Sequence, residues 1–304
     1  MQSAITRQRP RPGRRQVREW VLFAAFVAPN LFLFGVFSYW PLLQNAYLSF
    51  VEWDFISPEK LWVGLDNWQR ILTDPQFWNV ARTTFLFTTV SVGSLLGLGL
   101  ALALLLNQPL RGRNGARTAL FAPTILSGSA IAIVWIFMFD PSWGIIRVLL
   151  GAVGLPSPRW LTDINWALPA IIIVYVWKNL GYTVVIFLAG LQSIPKELHD
   201  AARVDGAGPW QRFRNVTLPG LGPISFFLLV TDILASFQAF DIIKVMTGGG
   251  PVIATTTFIY QMYQEGFVAY HAGSAAVYSL VLFFLMLAVT TFQLRYVQRR
   301  VAYS

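Results

Sequence analysis

Ionisable side chains inside apolar stretches are costly, so each one in this chain is a functional candidate. Lys178 stands in VYVWKNLGYTVV and Asp232 in LLVTDILASF. Asp241 and Lys244 follow, near the end of the second run. On a helix, Gly181 and Tyr182 fall three and four residues beyond Lys178, so a cation, a gap and a hydroxyl share one face. Asp232 and Ser236 share a face of the next segment, with Gln238 close along the chain. Such groups can hold a polar solute crossing a membrane. Lys178 and Asp232 can equally form a structural pair between helices. Asp241 and Lys244 have the spacing of an i,i+3 ion pair at a helix end.

A second set of polar residues fills SIPKELHDAARVDGAGPWQRFRNVTLP, residues 193–219. This stretch lies between two apolar runs and is longer than a joining loop needs. Ser193 suits an N-cap and Pro195 a first turn. The spacing predicts a short helix over Lys196–Val204. Leu198, Ala201 and Ala202 give it small or apolar contacts, while Glu197, Asp200 and Arg203 are polar. Gly206 is placed to end it. Trp210, Phe213 and Val216 repeat every three residues, which predicts a second short helix against the membrane. Leu218-Pro219 then returns the chain to the bilayer. The segment reads either as an amphipathic interfacial helix or as a knob for a partner's groove.

The elements that position these groups are membrane helices. Apolar residues make up 55% of the 304, and charged ones only 12%, about half the share in a soluble domain. Several windows hold about 20 apolar residues, enough to cross a hydrocarbon core of about 30 Å as helix. Six spans are expected, at Trp20–Leu43, Thr83–Leu106, Ala119–Phe139, Trp166–Leu188, Leu221–Met246 and Gly273–Phe292. The runs are continuous rather than alternating, which argues against a strand barrel. Pro29 and Pro123 within spans, and Pro169 early in one, read as kinks. Gly93, Gly97 and Gly99, with Ser91 and Ser94, allow close helix packing. Arg82 reads as a snorkelling interfacial arginine.

Charge sets the orientation. Sixteen of the 23 basic residues lie in the N-terminal tail, the second loop, the fourth loop or the C-terminal tail. The positive-inside bias places both termini and the 193–219 insert in the cytoplasm. The expected organisation is a basic tail over 1–19, disordered at its start, a six-helix domain over 20–296, and a short tail over 297–304. The net charge of +9 is thus a topology signal rather than a nucleic-acid signal. The first apolar stretch is too long for a cleaved signal peptide. There are no cysteines, so no disulfide or thiolate metal site can form. His199 and His271 fall on opposite expected sides, so they do not share a metal. The outward segment Glu52–Asn79 carries Trp53, Trp62, Trp68, Phe77 and Trp78. It reads as an interfacial aromatic belt or as a lip for an external protein.

Resemblance adds what composition lacks. DAARVDGAGPWQRFRNVTLP resembles the EAA loop of permease subunits in ATP-binding-cassette importers. That pattern is Glu-Ala-Ala, three residues, Gly, nine residues, Ile, one residue, Leu-Pro. Here it reads Asp200-Ala201-Ala202, Gly206, Val216 and Leu218-Pro219, with Asp for Glu and Val for Ile. Thr247-Gly248-Gly249-Gly250-Pro251, then Ala254-Thr255-Thr256-Thr257, Tyr260 and Phe267, looks like an outer loop of the sugar-uptake branch. Trp62-Val63-Gly64-Leu65-Asp66-Asn67-Trp68 followed by Asp74-Pro75-Gln76-Phe77-Trp78 is a third match. Within that branch the chain looks most like A-type permease subunits for sn-glycerol-3-phosphate and glycerophosphodiesters. Val176-Trp177-Lys178, Ile224–Val230 and Phe292–Val297 suggest it.

The resemblance implies an all-α type I importer permease in a bacterial inner membrane, with no catalysis of its own. Its partners would be a second permease subunit, two cytoplasmic ATPase subunits and an extracytoplasmic solute-binding protein. ATP and Mg would sit on the ATPases and no cofactor on this chain, which has no G-x-x-x-x-G-K-[ST] run. Glu197, Asp200, Ala201, Ala202, Asp205, Gly206 and Pro219 would couple to the ATPase. The branch's cargo site falls on Lys178, Gly181, Asp232 and Ser236, with Tyr182, Gln238 and Asp241 along the same path. A lysine there suits a phosphate-bearing cargo better than a neutral sugar. Mono- or oligosaccharide cargo is the alternative. A self-contained secondary carrier is less consistent, since no internal repeat is visible. A membrane enzyme would want a polar cluster at one face.

Overall fold

The computed structural model describes residues 14–297, with side chains described over 18–295. The expected disorder at the start of the basic tail, and the end of the C-terminal tail, lie outside the described residues. Helix α1 (Arg14–Phe34) starts inside the basic segment and runs through a π turn at Gly35–Tyr39 into α2 (Trp40–Leu48). Together they give a first span of Arg18–Leu48, longer than expected, and Pro29 does not interrupt it. A two-residue hairpin, β1 (Val51–Glu52) with β2 (Leu61–Trp62), and α3 (Asp66–Thr73) form an outer segment. Helix α4 (Pro75–Leu106) follows, then α5 (Arg113–Ile125), α6 (Gly128–Met138), α7 (Ile145–Ala152) and α8 (Ala167–Ser193). The insert holds α9 (Lys196–Val204), α10 (Pro209–Arg212), a π turn and α11 (Leu218–Gly220). Helices α12 (Gly222–Phe237), α13 (Asp241–Met246), α14 (Phe258–Tyr263) and α15 (Ala272–Phe292) complete the chain.

Five stretches are long and apolar enough to span a membrane, and a sixth is the bent pair α5 and α6. The third span, expected over Ala119–Phe139 with a kink at Pro123, is interrupted more sharply than a kink. It is broken between Ile125 and Gly128, with the two pieces at 106°. Pro123 stands in the last turn of α5 and cannot donate to the residue four before it, so the helix fails just beyond it. The fifth span also pauses, at Gln238–Phe240 between α12 and α13.

Sequence accounts for the other boundaries. Pro75 opens α4, and the Asp74 carboxylate accepts the Gln76 N–H at 2.8 Å, the usual acidic cap. At 32 residues this helix is about 48 Å long and overshoots the hydrocarbon core. Arg82 is exposed near its outer end, where a cation can reach headgroups. The outer segment is folded rather than a loose aromatic belt. Asn67 is buried and donates to the Ser49 and Val51 carbonyls at 3.2 and 3.0 Å. Phe77 is also buried, against Phe258 and Tyr278, while Trp62 and Trp78 stay exposed.

Helix α8 is the hub, packing on α4, α5, α6, α12 and α13. Two apolar clusters flank its middle. The outer one joins Phe87, Ile131, Trp135, Ile171, Tyr175 and Ile243. The inner one joins Leu106, Phe187, Leu191, Ile194, Leu221 and Leu228. Of the three glycines expected to let helices approach, only Gly99 does so within this chain. A Cβ there would lie 2.7 Å from Thr183 Cγ2, whereas Gly93 and Gly97 face open space.

Candidate functional site

Lys178 and Asp232 occupy the level between the two apolar clusters. Lys178 is half-buried on α8. Its carbonyl accepts the Thr124 hydroxyl at 3.0 Å, which ties α8 to α5. Among the described residues its ammonium meets no carboxylate within 4.0 Å, and the ion pairs present lie elsewhere. The structural pair with Asp232 is therefore not formed here. Asp232 is 6% exposed and its Oδ2 has no hydrogen-bond partner. The Thr183 hydroxyl lies beside the same carboxylate, close enough to donate to it, and is equally buried. A buried polar atom left without a partner, as Asp232 Oδ2 is, costs stability, so its persistence marks a place where something polar can be accepted.

The other expected path residues divide. Ser236 is occupied: its hydroxyl donates to the Ile233 carbonyl at 2.8 Å and lies 3.1 Å from the Thr88 hydroxyl on α4. Gly181 does not leave a gap beside Lys178. A Cβ on it would sit 2.6 Å from both the Leu120 carbonyl carbon and Phe121 Cα of α5, so the glycine serves a helix crossing. Tyr182 is half-buried on α8 and Gln238 exposed at the end of α12.

Asp241 and Lys244 do not pair. The Asp241 carboxylate packs on the Gly128 backbone, so closely that any Cβ there would collide with it. It also accepts the Ile242 N–H at 2.9 Å. A carboxylate at the first residue of α6 is favoured by the positive end of that helix. Lys244 instead donates to the Tyr263 hydroxyl at 2.9 Å. Sequence spacing placed the two charges on one helix but did not show the neighbours that separate them. Thr183, Thr88 and Gly128 were not singled out by sequence either, because a hydroxyl or glycine within a span carries no signal of what faces it.

The insert forms the expected helix, with one correction. Ser193 is not its N-cap. Helix α8 extends through Ser193, whose hydroxyl donates to the Gly190 carbonyl at 2.8 Å, and α9 is preceded by Pro195. The end of α9 is a Schellman turn. Gly206 has φ +78°. Its N–H reaches the Arg203 carbonyl at 3.0 Å and the Ala207 N–H reaches Ala202 at 2.9 Å. Only glycine adopts that conformation without strain. Helix α9 presents Leu198 at 52% and Val204 at 88% exposure. Glu197, Asp200, Ala201, Asp205 and Pro219 are exposed too, while Ala202 is half-buried. Asp200 and Arg203 form an exposed pair at 3.5 Å, worth little by itself. Among the described residues the helix is thus a surface knob whose Leu198 and Val204 stay uncovered.

Comparison with known proteins decides the family. The profile described as binding-protein-dependent transport system inner membrane component matches residues 75–303. The chain belongs to that family. It is an inner-membrane permease subunit of an ATP-binding-cassette importer and not itself an enzyme. It is 37% identical to the sn-glycerol-3-phosphate transport system permease protein UgpA of Brucella suis, over 91% of this chain and 95% of that one. It is 38% identical to the protein of the same name from Yersinia pestis, over 91% and 94%. Among solved structures it resembles a chain of a bacterial ABC transporter involved in import of the acidic polysaccharide alginate. That match has TM-score 0.79 and 25% identity, and covers 93% of this chain and 96% of that one. The six-span type I permease architecture expected from sequence is the one observed, with its third span broken.

Proposed function

We propose that the permease carries glycerol-3-phosphate or a glycerophosphodiester, and that α9 transmits the ATPase stroke to the path. The observation that carries the cargo reading is Lys178: a cation at mid-span with no carboxylate on it among the described residues. A phosphate ester can supply the missing counter-charge. Asp232 and the Thr183 hydroxyl beside it, both buried, offer an acceptor and a donor to glycerol hydroxyls. Relatives named for glycerol-3-phosphate transport, alike over nearly the whole chain, support the same cargo. Tyr182, Gln238 and Asp241 continue the polar path outward.

In this reading the chain pairs with a second permease, and each presents its insert to one of two ATPase subunits. Glu197, Asp200 and Asp205 give the knob its polar contacts, Ala201 and Ala202 its narrow waist, and Gly206 its stop. Pro219 sets the return to the membrane. An extracytoplasmic binding protein delivers cargo to the outer face. ATP and Mg stay on the ATPases, and this chain needs no cofactor.

The test is ATPase activity of the assembled complex in lipid with its binding protein. Glycerol-3-phosphate, a glycerophosphodiester and a maltose-type sugar are compared. Stimulation by the phosphate compounds alone is expected. Stimulation by sugar alone would refute the cargo and leave the importer. Failure of any ATPase to associate would refute the role of the insert.

A further inference from the structure

Lys244 has a setting that the mid-span site does not use. It is exposed near the outer end of the fifth span. Its ammonium donates to the Tyr263 hydroxyl at 2.9 Å and lies 4.2 Å from that ring's centroid and 5.4 Å from the Phe240 centroid. The rings themselves are joined: Phe240 meets Tyr263 edge-on at 5.0 Å, and Phe267 stacks on Tyr263 at 5.7 Å and 20°. Phe267 is 69% exposed. Among the described residues no carboxylate pairs with Lys244, because Asp241 is turned toward Gly128. One N–H is used on Tyr263 and two remain.

A lysine at this depth cannot face acyl chains and must meet water, a polar cavity or headgroups. Its environment is selective. The ring faces carry negative charge that favours the ammonium and polarised C–H bonds alike. The open N–H groups favour an oxyanion. A phosphate ester attached to a small polyol satisfies both. Asp232 lies twelve residues earlier in the chain, on the far side of the pause at Gln238–Phe240 that separates α12 from α13, so the two places stand at different levels of the span. We propose that Lys244, Tyr263, Phe240 and Phe267 form a separate outer station for a phosphorylated polyol, occupied before the Lys178–Asp232 level. The station rests on the reading of a phosphate-bearing cargo. A phospholipid headgroup presents the same phosphate ester chemistry and is the competing source.

The experiment uses the complete complex with its binding protein in liposomes, loaded with glycerol-3-phosphate. Lys244→Gln should lower uptake per ATP hydrolysed about tenfold, the loss of one charge-assisted contact. ATPase stimulation by the loaded binding protein should stay within about twofold of wild type. Lys244→Arg should restore most of the uptake. Tyr263→Phe keeps the ring and removes the hydroxyl, and should show a smaller loss. If Lys244→Gln does not assemble, Lys244→Arg and Tyr263→Phe carry the test by the same ratio. Wild-type uptake by all three variants would overturn the station. A defect seen in anionic liposomes but not in purely zwitterionic ones would assign Lys244 to lipid and overturn it too. A wild-type complex that ignores glycerol-3-phosphate would overturn the cargo reading itself, and the station with it. That result is visible before any variant is made.

Discussion

Gly181→Ala tests whether that glycine serves cargo or a helix crossing. The added Cβ would lie 2.6 Å from the Leu120 carbonyl carbon and 2.6 Å from Phe121 Cα, with the Leu120 oxygen nearer still. Ordinary contact needs about 3.5–4 Å, so α5 would retreat by roughly 1 Å. All three obstacles are backbone, so no rotamer change relieves them. Overpacking of this kind costs about 1–3 kcal/mol. The Thr124 to Lys178 hydrogen bond at 3.0 Å crosses the same interface, and losing it adds about 1 kcal/mol. A total of roughly 2–4 kcal/mol is expected. Gly97→Ala is the control, because nothing lies within 4 Å of a Cβ there. It should be neutral or stabilising by up to about 1 kcal/mol, since alanine is the better helix former. Unfolding of the two purified variants in one detergent gives the comparison. Gly181→Ala should unfold at clearly lower temperature while the assembled fraction keeps its cargo affinity. Equal stability of the two variants would refute the crossing. Weakened cargo affinity with unchanged stability would return Gly181 to the path.

Lys178→Gln should reduce uptake of glycerol-3-phosphate about tenfold with an unfolding temperature near wild type, since no ion pair is broken; unchanged uptake would remove Lys178 from the path. Val204→Asp should leave the permease as stable as wild type, because that side chain is 88% exposed. It should also abolish co-purification of the ATPase subunits, and retention of them would show that α9 docks elsewhere. Gly206→Val puts a β-branched residue at φ +78°. It should cost about 1–2 kcal/mol in local stability and uncouple ATP hydrolysis from transport, while normal coupling would show that the Schellman turn is dispensable. Outside the membrane, Asp54 is held below its ordinary value of 3.8 by the Ser57 and Ile56 N–H groups and the Ser57 hydroxyl. A depressed carboxylate lends stability above its unfolded value and loses it as pH falls through the folded value. The protection factors of the Ile56 and Ser57 amides, the exchange rates corrected for the intrinsic pH dependence, should therefore be constant near neutrality and fall in acid. In Asp54→Ala that acid response should vanish.

Much of this was legible in sequence where the signal is local. The bounds of α9 follow from one proline, an amphipathic run and one glycine, and the structure reproduces Lys196–Val204. The span count follows from continuous apolarity. What sequence missed is tertiary. Ser193 looks like a cap, but burying Leu191 and Ile194 against Leu221 keeps α8 helical through it. Asp241 and Lys244 look like a pair, but Gly128 and Tyr263 come from distant segments and hold them apart. Gly93, Gly97 and Gly99 look alike, yet only Gly99 has a helix against it. The break in the third span was foreshadowed by Pro123, but its angle was not.

The two ends of the proposed mechanism are joined by unusually close packing at the root of the insert. A Cβ on Gly190 would lie 2.9 Å from Ile224 and Leu221 side chains, and one on Gly220 would lie 3.0 Å from Ile194. The residues that flank the insert on both sides therefore clamp each other: α8 at its end and α12 at its start. These are the helices that carry Lys178 and Asp232. A force applied to α9 acts on a root that has little room to absorb it, because tightly packed side chains transmit displacement rather than compress. The helix breaks lie further out. There the third span is broken at Leu126–Ser127 and the fifth pauses at Gln238–Phe240, and Asp241 joins the two breaks through Gly128. Stiffness at the cytoplasmic root and hinges beyond mid-span are the distribution a lever requires. In the proposed mechanism a stroke on α9 would reach the level of Lys178 and Asp232 with little damping, and the two breaks would let the outer half-helices respond.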